Sequence, residues 1–490
     1  MGARETGSPV PEPGVRTMRV ETDALGSLPV PADAYYGIHT VRALANFPIS
    51  GQAIHPELVD ALVVIKKAAA LTHRDVGSLP PEVAAAIVAA CDEILSGALG
   101  DQFVVDRLQG GAGTSANMNA NEVIANRAIE LLGGERGDYA RVHPLDHVNL
   151  SQSTNDVFST AVRIAAIRML KRASERFAEL QAALQEQEEA FSDVLKCGRT
   201  ELQDAVPVTL GQEFGAWAQA VARDRWRLYK AEERLRQVGL GGTAVGTGIN
   251  APKPYIFGVI ERLRDLTGLG LARAEYMMDP IQNCDVFVEV SGLLKASAVT
   301  LSKIASDLRL LSSGPRAGLG EIELPAVQAG SSIMPGKVNP VIAEAVNQVA
   351  FQVIADDLAI TLAAQAGQLE LNAFLPSIAA NLFEQLDLLE AVVPLFAERC
   401  IRGISANRER CAELAEKSLS SAAVLTGAIG YERAAALAHA CAADGRTIRE
   451  ALVADPAIPP EAVDRALDTA TLTSPGALKP GDLGPGGRDE

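Results

Sequence analysis

The stretch AVRIAAIRMLKRASERFAELQAALQEQEEAFSDVLK, residues 161–196, contains neither glycine nor proline. Its apolar side chains recur at spacings of three, four and seven residues, which place them on one face of an α-helix. They are Leu170, Ala173, Phe177, Leu180, Leu184, Phe191 and Leu195. The pattern predicts a single amphipathic helix over residues 161–196, longer than most helices of globular proteins.

Three further long helices are predicted, over residues 212–238, about 284–311 and about 342–371. Helices of this length usually pack in bundles or coiled coils, and their apolar faces are too wide for one neighbour to cover. We therefore predict an all-α chain in which subunits share a helical core. An aromatic content of only 4% suggests that Leu, Ala and Val fill that core.

The composition excludes several classes of protein. The formal net charge of −17 argues against nucleic acid and anionic membranes as partners, although a small anionic substrate can bind in a local basic pocket. The six cysteines lie far apart without a C-x-x-C pair, which favours reduced thiols over a zinc site or a disulfide framework. The sequence contains neither a long uncharged apolar segment nor a signal-peptide core, so we expect a cytoplasmic protein.

The segment GSSIMPGKVNP, residues 330–340, superficially resembles a phosphate-binding loop. A P-loop has four residues between its glycines and a Ser or Thr after the lysine, whereas this segment has five residues and Val338. GGTAVGTG, residues 241–248, is likewise only a loose dinucleotide fingerprint without a predicted strand before it. The serines, the lysine and the asparagine of GSSIMPGKVNP therefore indicate another chemistry.

Three segments together resemble the aspartase/fumarase superfamily, and the resemblance extends from about Val20 to about Ala470. They are GSSIMPGKVNP, SQSTND (residues 151–156) and GRTELQDAVPVTLGQEF (residues 198–214). ADAYYGIHT (residues 32–40) and GGAGTSANMN (residues 110–119) are more similar to the aspartase branch than to the class II fumarases. The resemblance implies reversible elimination of ammonia from L-aspartate to give fumarate, without an organic cofactor.

The resemblance also implies a three-domain fold and a homotetramer whose active sites each use loops of three subunits. We expect an N-terminal helical domain over residues 21–150, a central long-helix bundle over 151–404 and a small C-terminal helical domain over 405–474. The Pro- and Gly-rich ends, residues 1–20 and 475–490, are predicted to be disordered. An activating divalent metal such as Mg²⁺ occurs in some members, but the sequence locates no ligand cluster for it.

The reaction itself explains the residue types in these motifs. Removing ammonia from a substituted succinate takes a weakly acidic proton from the carbon beside a carboxylate, and the resulting aci-carboxylate must be stabilised by preorganised donors. By resemblance, Ser331 is the catalytic base, and backbone N–H groups of its loop must stabilise its oxyanion. Lys337 and Asn339 match the groups that bind this carboxylate, and we include Ser332 with them. Met334, Pro335 and Val338 around Lys337 favour its burial.

Other loop residues match further substrate contacts of the superfamily, namely Thr114, Ser153, Thr154, Asn155 and Thr200. Short hydroxyls and amides at helix N-termini donate readily to carboxylates. The same residue types also cap helices, and Ser153 and Asn155 can do both. We expect Arg199, His39 and His143 to be structural.

Glu201 departs from the superfamily pattern, in which this position holds His or Gln close to the leaving group. A carboxylate there favours an ammonium over a hydroxyl leaving group. Glu344 matches the acid that pairs with that His, so two carboxylates meeting there would raise one pKa and provide a catalytic proton donor. A second departure is Thr426-Gly427, where relatives have Asn-Pro.

Three alternatives stay open from the sequence. The chain could be a class II fumarate hydratase, a lyase for a modified aspartate, or a catalytically silent structural member of the superfamily. Glu201 keeps the second alternative open, while the presence of Ser331, Lys337, Asn339 and Thr200 argues against the third.

Overall fold

The computed structural model describes residues 17–484. The predictions of disorder for residues 1–16 and 485–490 lie outside this range. Within it the predicted all-α class is confirmed. The helices are α1 (Ile38–Asn46), α2 (Pro56–Asp75), α3 (Pro81–Leu95), α4 (Thr114–Leu131), α5 (Thr154–Ala190), α6 (Leu210–Leu235), α7 (Lys253–Thr267), α8 (Asp279–Gln282), α9 (Asp285–Leu311), α10 (Val341–Gln365), α11 (Leu375–Arg399), α12 (Arg408–Lys417), α13 (Thr426–Ile429), α14 (Tyr431–Asp444), α15 (Ile448–Val453), α16 (Pro460–Ala466) and α17 (Thr469–Thr473).

The four predicted long helices are present as α5, α6, α9 and α10, with shifted ends. The largest shift is in α5, which begins at Thr154 and ends at Ala190, whereas the predicted helix covered residues 161–196. The apolar spacing continues beyond the helix because Phe191 is buried after it, with its ring 5.5 Å from that of Phe214. The apolar Phe191 is buried outside α5, and its spacing happened to fit the helical pattern. The predicted helix was therefore extended beyond Ala190.

In residues 17–484, four pairs of short strands accompany the helices, and the sequence did not predict them. The two hairpins are β1 (Met18–Asp23) with β2 (Gly26–Pro31) and β3 (Leu195–Thr200) with β4 (Gln203–Thr209), both antiparallel. Two-residue strands form the other pairs, β5 (Gln237–Val238) with β6 (Ala272–Arg273) and β7 (Ile322–Glu323) with β8 (Ser405–Ala406).

The chain folds into two compact units. The first contains the described residues up to Leu170, together with Ala231–Gly292 and Asp356–Glu384. In it, α2 packs against α3, α4 and α7. The second contains Lys171–Lys230, Leu293–Ala355 and the described residues from Gln385 onward. The expected three-domain division is a prediction based on resemblance.

Both predicted disordered ends are partly wrong. Residues 18–20 belong to strand β1, whose pairing with β2 fixes them. At the other end, Leu483 is only 3% exposed in a C-terminal core, and Leu478 packs against the same core. These two leucines order residues that the Pro- and Gly-rich composition suggested were loose.

Within residues 17–484, none of the helices combines the length and the apolar character that crossing a membrane requires.

Candidate active site

Thr114 is the first residue of α4 and lies in the first unit. The preceding Gly113 has φ +94°, and a Cβ there would lie 2.3 Å from the ring of Phe158 on α5. Only glycine fits this approach, which places the start of α4 against α5. The Thr114 hydroxyl donates to the carbonyl oxygen of Gly111 at 2.7 Å, and the side chain is exposed.

The SQSTND segment forms the start of α5 in the same unit. Ser153 Oγ accepts a hydrogen bond from the Asn155 backbone N–H at 3.2 Å, so the capping contact forms. Thr154 Oγ1 accepts from Asn117 Nδ2 of α4 at 3.0 Å, and Asn155 Nδ2 donates to the Ala244 carbonyl at 2.7 Å. The structure therefore brings Thr154 close to α4 and Asn155 close to the GGTAVGTG loop.

A buried polar cluster lies beneath this segment, and the sequence analysis missed it. Lys66 of α2 is 0% exposed, and its Nζ donates to Asn149 Oδ1 at 2.7 Å and to Gln152 Oε1 at 2.9 Å. Asn149 Oδ1 also accepts from Asn117 Nδ2 at 3.2 Å. The available signal was a lysine within the apolar run VVIKKAAA, at a position four residues after Leu62 on the buried face of the helix.

Asp156 completes this cluster. Its carboxylate is buried and accepts backbone hydrogen bonds from Ser153, Gly241 and Thr243 at 2.9–3.0 Å. It thereby joins the SQSTND segment to the GGTAVGTG loop. Burial raises the pKa of Asp156 to about 7, although these hydrogen bonds and Lys66 oppose the shift. Burial also lowers the pKa of Lys66 to about 7, against the attraction of Asp156.

Thr200 and Glu201 lie at the tip of the β3–β4 hairpin in the second unit. Thr200 pairs with Gln203, leaving a two-residue turn in which Glu201 has φ +54° and Leu202 has φ +62°. Positive φ at both central residues defines a type I′ turn, which normally favours Asn-Gly. Both side chains are exposed, and Leu202 is 71% exposed.

Ser331 lies in the loop between β7 and α10, also in the second unit. Its Oγ accepts hydrogen bonds from the backbone N–H groups of Ile333 at 3.2 Å and Met334 at 3.1 Å. The loop closes through a bond from Ser331 N–H to the Lys337 carbonyl at 3.2 Å. A Cβ on Gly330 would lie 1.2 Å from that carbonyl oxygen, which explains the glycine at the start of the motif.

Lys337, for which burial was expected, is not buried within the single chain. Lys337 and Ser332 are exposed, and Asn339 is half-buried. The apolar neighbours that suggested burial are themselves in solvent, with Ile333 83% and Val338 50% exposed. Because these neighbours are exposed, they do not cover the lysine.

A buried charge network lies along strand β3 of the hairpin. Arg199 Nη1 donates to both oxygens of Glu321 at 2.9–3.0 Å. Lys196 Nζ lies 3.4 Å from Glu321 Oε2 and donates to Glu213 Oε1 at 2.8 Å. Burial is the main cause that raises the pKa of Glu213. Arg199 thus has a structural contact, as expected, and it lies next to Thr200.

Glu344 lies in the first turn of α10, half-buried, with its backbone N–H bonded to the Pro340 carbonyl at 3.0 Å. Among the described residues, no hydrogen bond joins its side chain to Glu201. The suggested pairing of these two carboxylates is therefore a prediction for the assembled protein.

The two histidines expected to be structural make structural contacts. His39 Nδ1 lies 3.1 Å from the buried carboxylate of Glu122, and that contact raises the pKa of His39. His143 Nδ1 accepts from the backbone N–H groups of Leu145 and Asp146.

Between residues 17 and 484, no group of three His, Cys, Asp or Glu side chains could hold a metal ion. The described residues of the single chain therefore locate no site for the possible activating divalent metal, and we assign no step to it.

Comparison with known families identifies the class of protein. Residues 26–355 match the family described as Lyase, and residues 422–474 match the one described as Fumarase C C-terminus. The chain therefore belongs to this lyase family, and the resemblance predicted from its motifs is confirmed. Thr426-Gly427 lies within the second matched region.

Relatives within the family are named for one particular enzyme, aspartate ammonia-lyase. The chain is 49% identical over 459 residues to an aspartate ammonia-lyase of a Bacillus species, covering 94% of this chain and 98% of the relative. It is 50% identical to that of Pseudomonas aeruginosa, covering 94% and 95% of the two chains. The Escherichia coli K12 aspartate ammonia-lyase is 47% identical, with 89% and 92% covered.

Solved structures agree on the fold. A fumarate lyase:delta crystallin from Brucella melitensis, bound to cobalt, has a TM-score of 0.92 at 50% identity, covering 94% of this chain and 100% of that one. A class II fumarase from Schistosoma mansoni has a TM-score of 0.88 at 35% identity, covering 92% and 98%.

Proposed function

We propose that this protein is an aspartate ammonia-lyase, a carbon–nitrogen lyase that reversibly converts L-aspartate to fumarate and ammonia. Relatives with this name are 47–50% identical to the chain over most of its length, which supports the proposal. The aspartase-like segments at residues 32–40 and 110–119 support it as well.

The proposed mechanism is based mainly on one observation, the environment of Ser331. A serine hydroxyl is a poor base unless its oxyanion is stabilised. The two backbone N–H groups that point at Ser331 Oγ supply positive potential at that atom. Such donors are preorganised, so they stabilise an alkoxide without further rearrangement.

The elimination then proceeds in two steps. The proton on the carbon beside the side-chain carboxylate passes to Ser331 Oγ, and the electron pair moves into that carboxylate as an aci-carboxylate. Lys337 and Asn339, with Ser332, hold the added charge. The pair returns to form the carbon–carbon double bond as the carbon–nitrogen bond breaks and its electrons leave with nitrogen as ammonia.

The remaining substrate contacts are assigned to loop hydroxyls and amides. Thr114 and Thr154 begin α4 and α5, and the partial positive charge of a helix N-terminus favours a carboxylate. Ser153, Asn155 and Thr200 add directional donors. The Glu201 carboxylate accepts a hydrogen bond from the substrate ammonium and so selects an amine leaving group. Glu344 shares a proton with Glu201.

The assembly proposed for this function is a cytoplasmic homotetramer in which each site uses loops of three subunits. The exposed Ser331 loop and a row of exposed apolar side chains along α10 support this assembly. The row comprises Phe351, Ile354, Leu358 and Leu362. The domain division at residues 21–150, 151–404 and 405–474 belongs to the same proposal.

The test is the ultraviolet absorbance of fumarate with purified protein. We expect fumarate to form from L-aspartate and not from malate, and Ser331→Ala to lower kcat by about 10²–10⁴-fold, the usual contribution of a general base. Calorimetric binding of succinate should persist in that variant, because the base is lost and the carboxylate contacts are not. Turnover of malate instead would identify a hydratase, and turnover of neither would favour a silent member or a lyase for a modified aspartate.

A further inference from the structure

Lys66 is a charged group in the interior that the proposed mechanism does not use. It lies on α2 and is completely buried, and burying an ammonium has a large unfavourable free energy unless it is well bonded. Its two hydrogen-bond acceptors named above are neutral amide oxygens, from Asn149 and Gln152. A structural core would be filled more favourably by an apolar side chain.

The ammonium determines which way these two amides point. An ammonium only donates, so the oxygens of Asn149 and Gln152 must face it and their NH₂ groups must face away. Asn149 Nδ2 donates to the Gln152 carbonyl at 3.2 Å. Gln152 Nε2 donates to the carbonyls of Val148 at 3.0 Å and Leu150 at 3.2 Å. These three bonds fix the backbone of residues 148–152.

The fixed segment leads directly into proposed substrate contacts. Ser151 within it has φ +56°, an unfavourable conformation for serine that its surroundings must maintain. Ser153, Thr154 and Asn155 follow at once. Asn149 also accepts from Asn117, which in turn donates to Thr154 Oγ1.

We propose that Lys66 is a positioning residue for the carboxylate-binding segment: by orienting the Asn149 and Gln152 amides, it holds residues 148–155 in the conformation that binds substrate. This inference rests on the proposed lyase function. The alternative hypothesis is a purely structural role, in which Lys66 only balances the buried charge of Asp156.

A double-mutant cycle separates the two roles. Lys66→Met and Gln152→Leu should each lower kcat/KM for aspartate by about 10–100-fold, the usual effect of losing a group that orients a ligand contact. We expect KM to rise more than kcat falls, since the segment binds the substrate, whereas partial unfolding lowers apparent kcat at constant KM. The double variant should have nearly the same kcat/KM as the less active single variant, because both changes break the same contact between Lys66 and Gln152.

Lys67→Met provides the matched control. Lys67 is the next residue of α2 and its side chain is 18% exposed in an ion pair with Asp92. Its removal takes away one positive charge without touching residues 148–155. We expect kcat/KM within about twofold of the parent, as for most surface substitutions. When Lys67→Met is combined with Gln152→Leu, the effects of the two changes on kcat/KM should be additive.

Amide hydrogen exchange of the peptide covering residues 148–155 gives a readout that needs no turnover. Exchange should become faster in Lys66→Met and in Gln152→Leu and stay unchanged in Lys67→Met. Additive effects of Lys66→Met and Gln152→Leu, with unchanged exchange, would overturn the proposal and favour the counterion role. If the parent protein does not turn over aspartate, the lyase function fails while exchange still decides whether Lys66 holds the segment. If Lys66→Met does not fold, Gln152→Leu retains both buried charges, and unchanged exchange and KM in that variant would refute the proposal.

Discussion

Glu201 and Leu202 occupy the tip of the β3–β4 hairpin in a backbone conformation that their side chains disfavour. Non-glycine residues at positive φ cost about 1–3 kcal/mol each when the surroundings enforce them. Asn-Gly would form the same turn at lower cost. The Glu201-Leu202 turn is therefore less stable than an Asn-Gly turn would be, while it exposes both side chains.

Replacing Glu201 by Gln tests its assigned role at the leaving group. A carboxylate attracts the substrate ammonium, so Glu201→Gln should lower kcat/KM for aspartate by about tenfold, the scale of one charge-assisted hydrogen bond. Loss of the shared proton should also change the pH–rate profile. Steady-state kinetics across pH would measure both. Asp193→Asn removes an exposed carboxylate elsewhere in the same unit and serves as the control.

An unchanged pH–rate profile together with an unchanged kcat/KM in Glu201→Gln would exclude both roles for this side chain. A gain in malate turnover would instead show that Glu201 sets the choice of leaving group.

The sequence indicated candidate site residues but not the surroundings in which the structure places them. Ser331 and Lys337 stand out because their motif concentrates polar groups in a short segment that also contains Pro335 and Pro340. Exposure of Lys337 was not predictable from its apolar neighbours, since exposure depends on where the whole loop lies. Lys66 escaped notice because its partners, Asn149 and Gln152, are 83 and 86 residues away in the chain.

At the scale of elements, Glu321 connects the hairpin with the segment that leads to Ser331. Its carboxylate is 0% exposed and binds Arg199 and Lys196 of β3. Its backbone N–H donates to the Leu311 carbonyl and its own carbonyl accepts from Asn407. The residue before β7 is thereby fixed to three neighbouring segments.

Glu321→Gln should destabilise the protein by about 3–5 kcal/mol, because it leaves two largely buried cations with incomplete compensation. Urea denaturation would measure the loss in free energy of unfolding. Glu323→Gln alters an exposed carboxylate two residues away on β7, and we expect it to change stability by less than about 0.5 kcal/mol. Equal stability of the two variants would contradict a supporting role for the network.

The long helices were predictable because their amphipathic periodicity extends over many turns. α11 was missed, and it contains Pro394, a residue that normally interrupts helical patterns. The two-residue strands β5 to β8 are too short to show a period-two pattern. Gly427 in the departure from the usual Asn-Pro has a structural reason, since a Cβ there would lie 2.1 Å from the Leu478 carbonyl oxygen.

At the scale of the whole molecule, the proposed assembly explains the row of exposed apolar side chains on α10. Phe351, Leu358 and Leu362 are 62%, 60% and 52% exposed and recur at helical spacings. A charge in the middle of this row would be buried without a partner in a shared helical core.

Leu358→Glu should therefore convert the tetramer to smaller species and abolish most activity, because the shared sites would be incomplete. Sedimentation velocity would report the mass. Leu25→Glu introduces the same charge at a residue that is 80% exposed near the β1–β2 turn, and it should leave mass and activity unchanged. A tetramer that survives Leu358→Glu would move the interface elsewhere.

Sharing of active sites between subunits makes a stricter prediction about mixed assemblies. Ser331 belongs to the second compact unit and Thr154 to the first, and the proposal takes them from different subunits. Ser331→Ala and Thr154→Ala should each be nearly inactive alone. When equal amounts are unfolded and refolded together, about a quarter of the sites should combine two intact contributions and regain activity, as random mixing in a closed symmetric oligomer requires.

Ser331→Ala mixed with Lys337→Ala is the matched control for that experiment. Both residues lie in the one loop between β7 and α10, so each site receives them from the same subunit and no mixed site contains both intact. We therefore expect activity to return in the first mixture and not in the second, with sedimentation confirming tetramers in both. Recovery in neither mixture, with intact tetramers, would mean that Ser331 and Thr154 come from one subunit and that the sites are not shared between them.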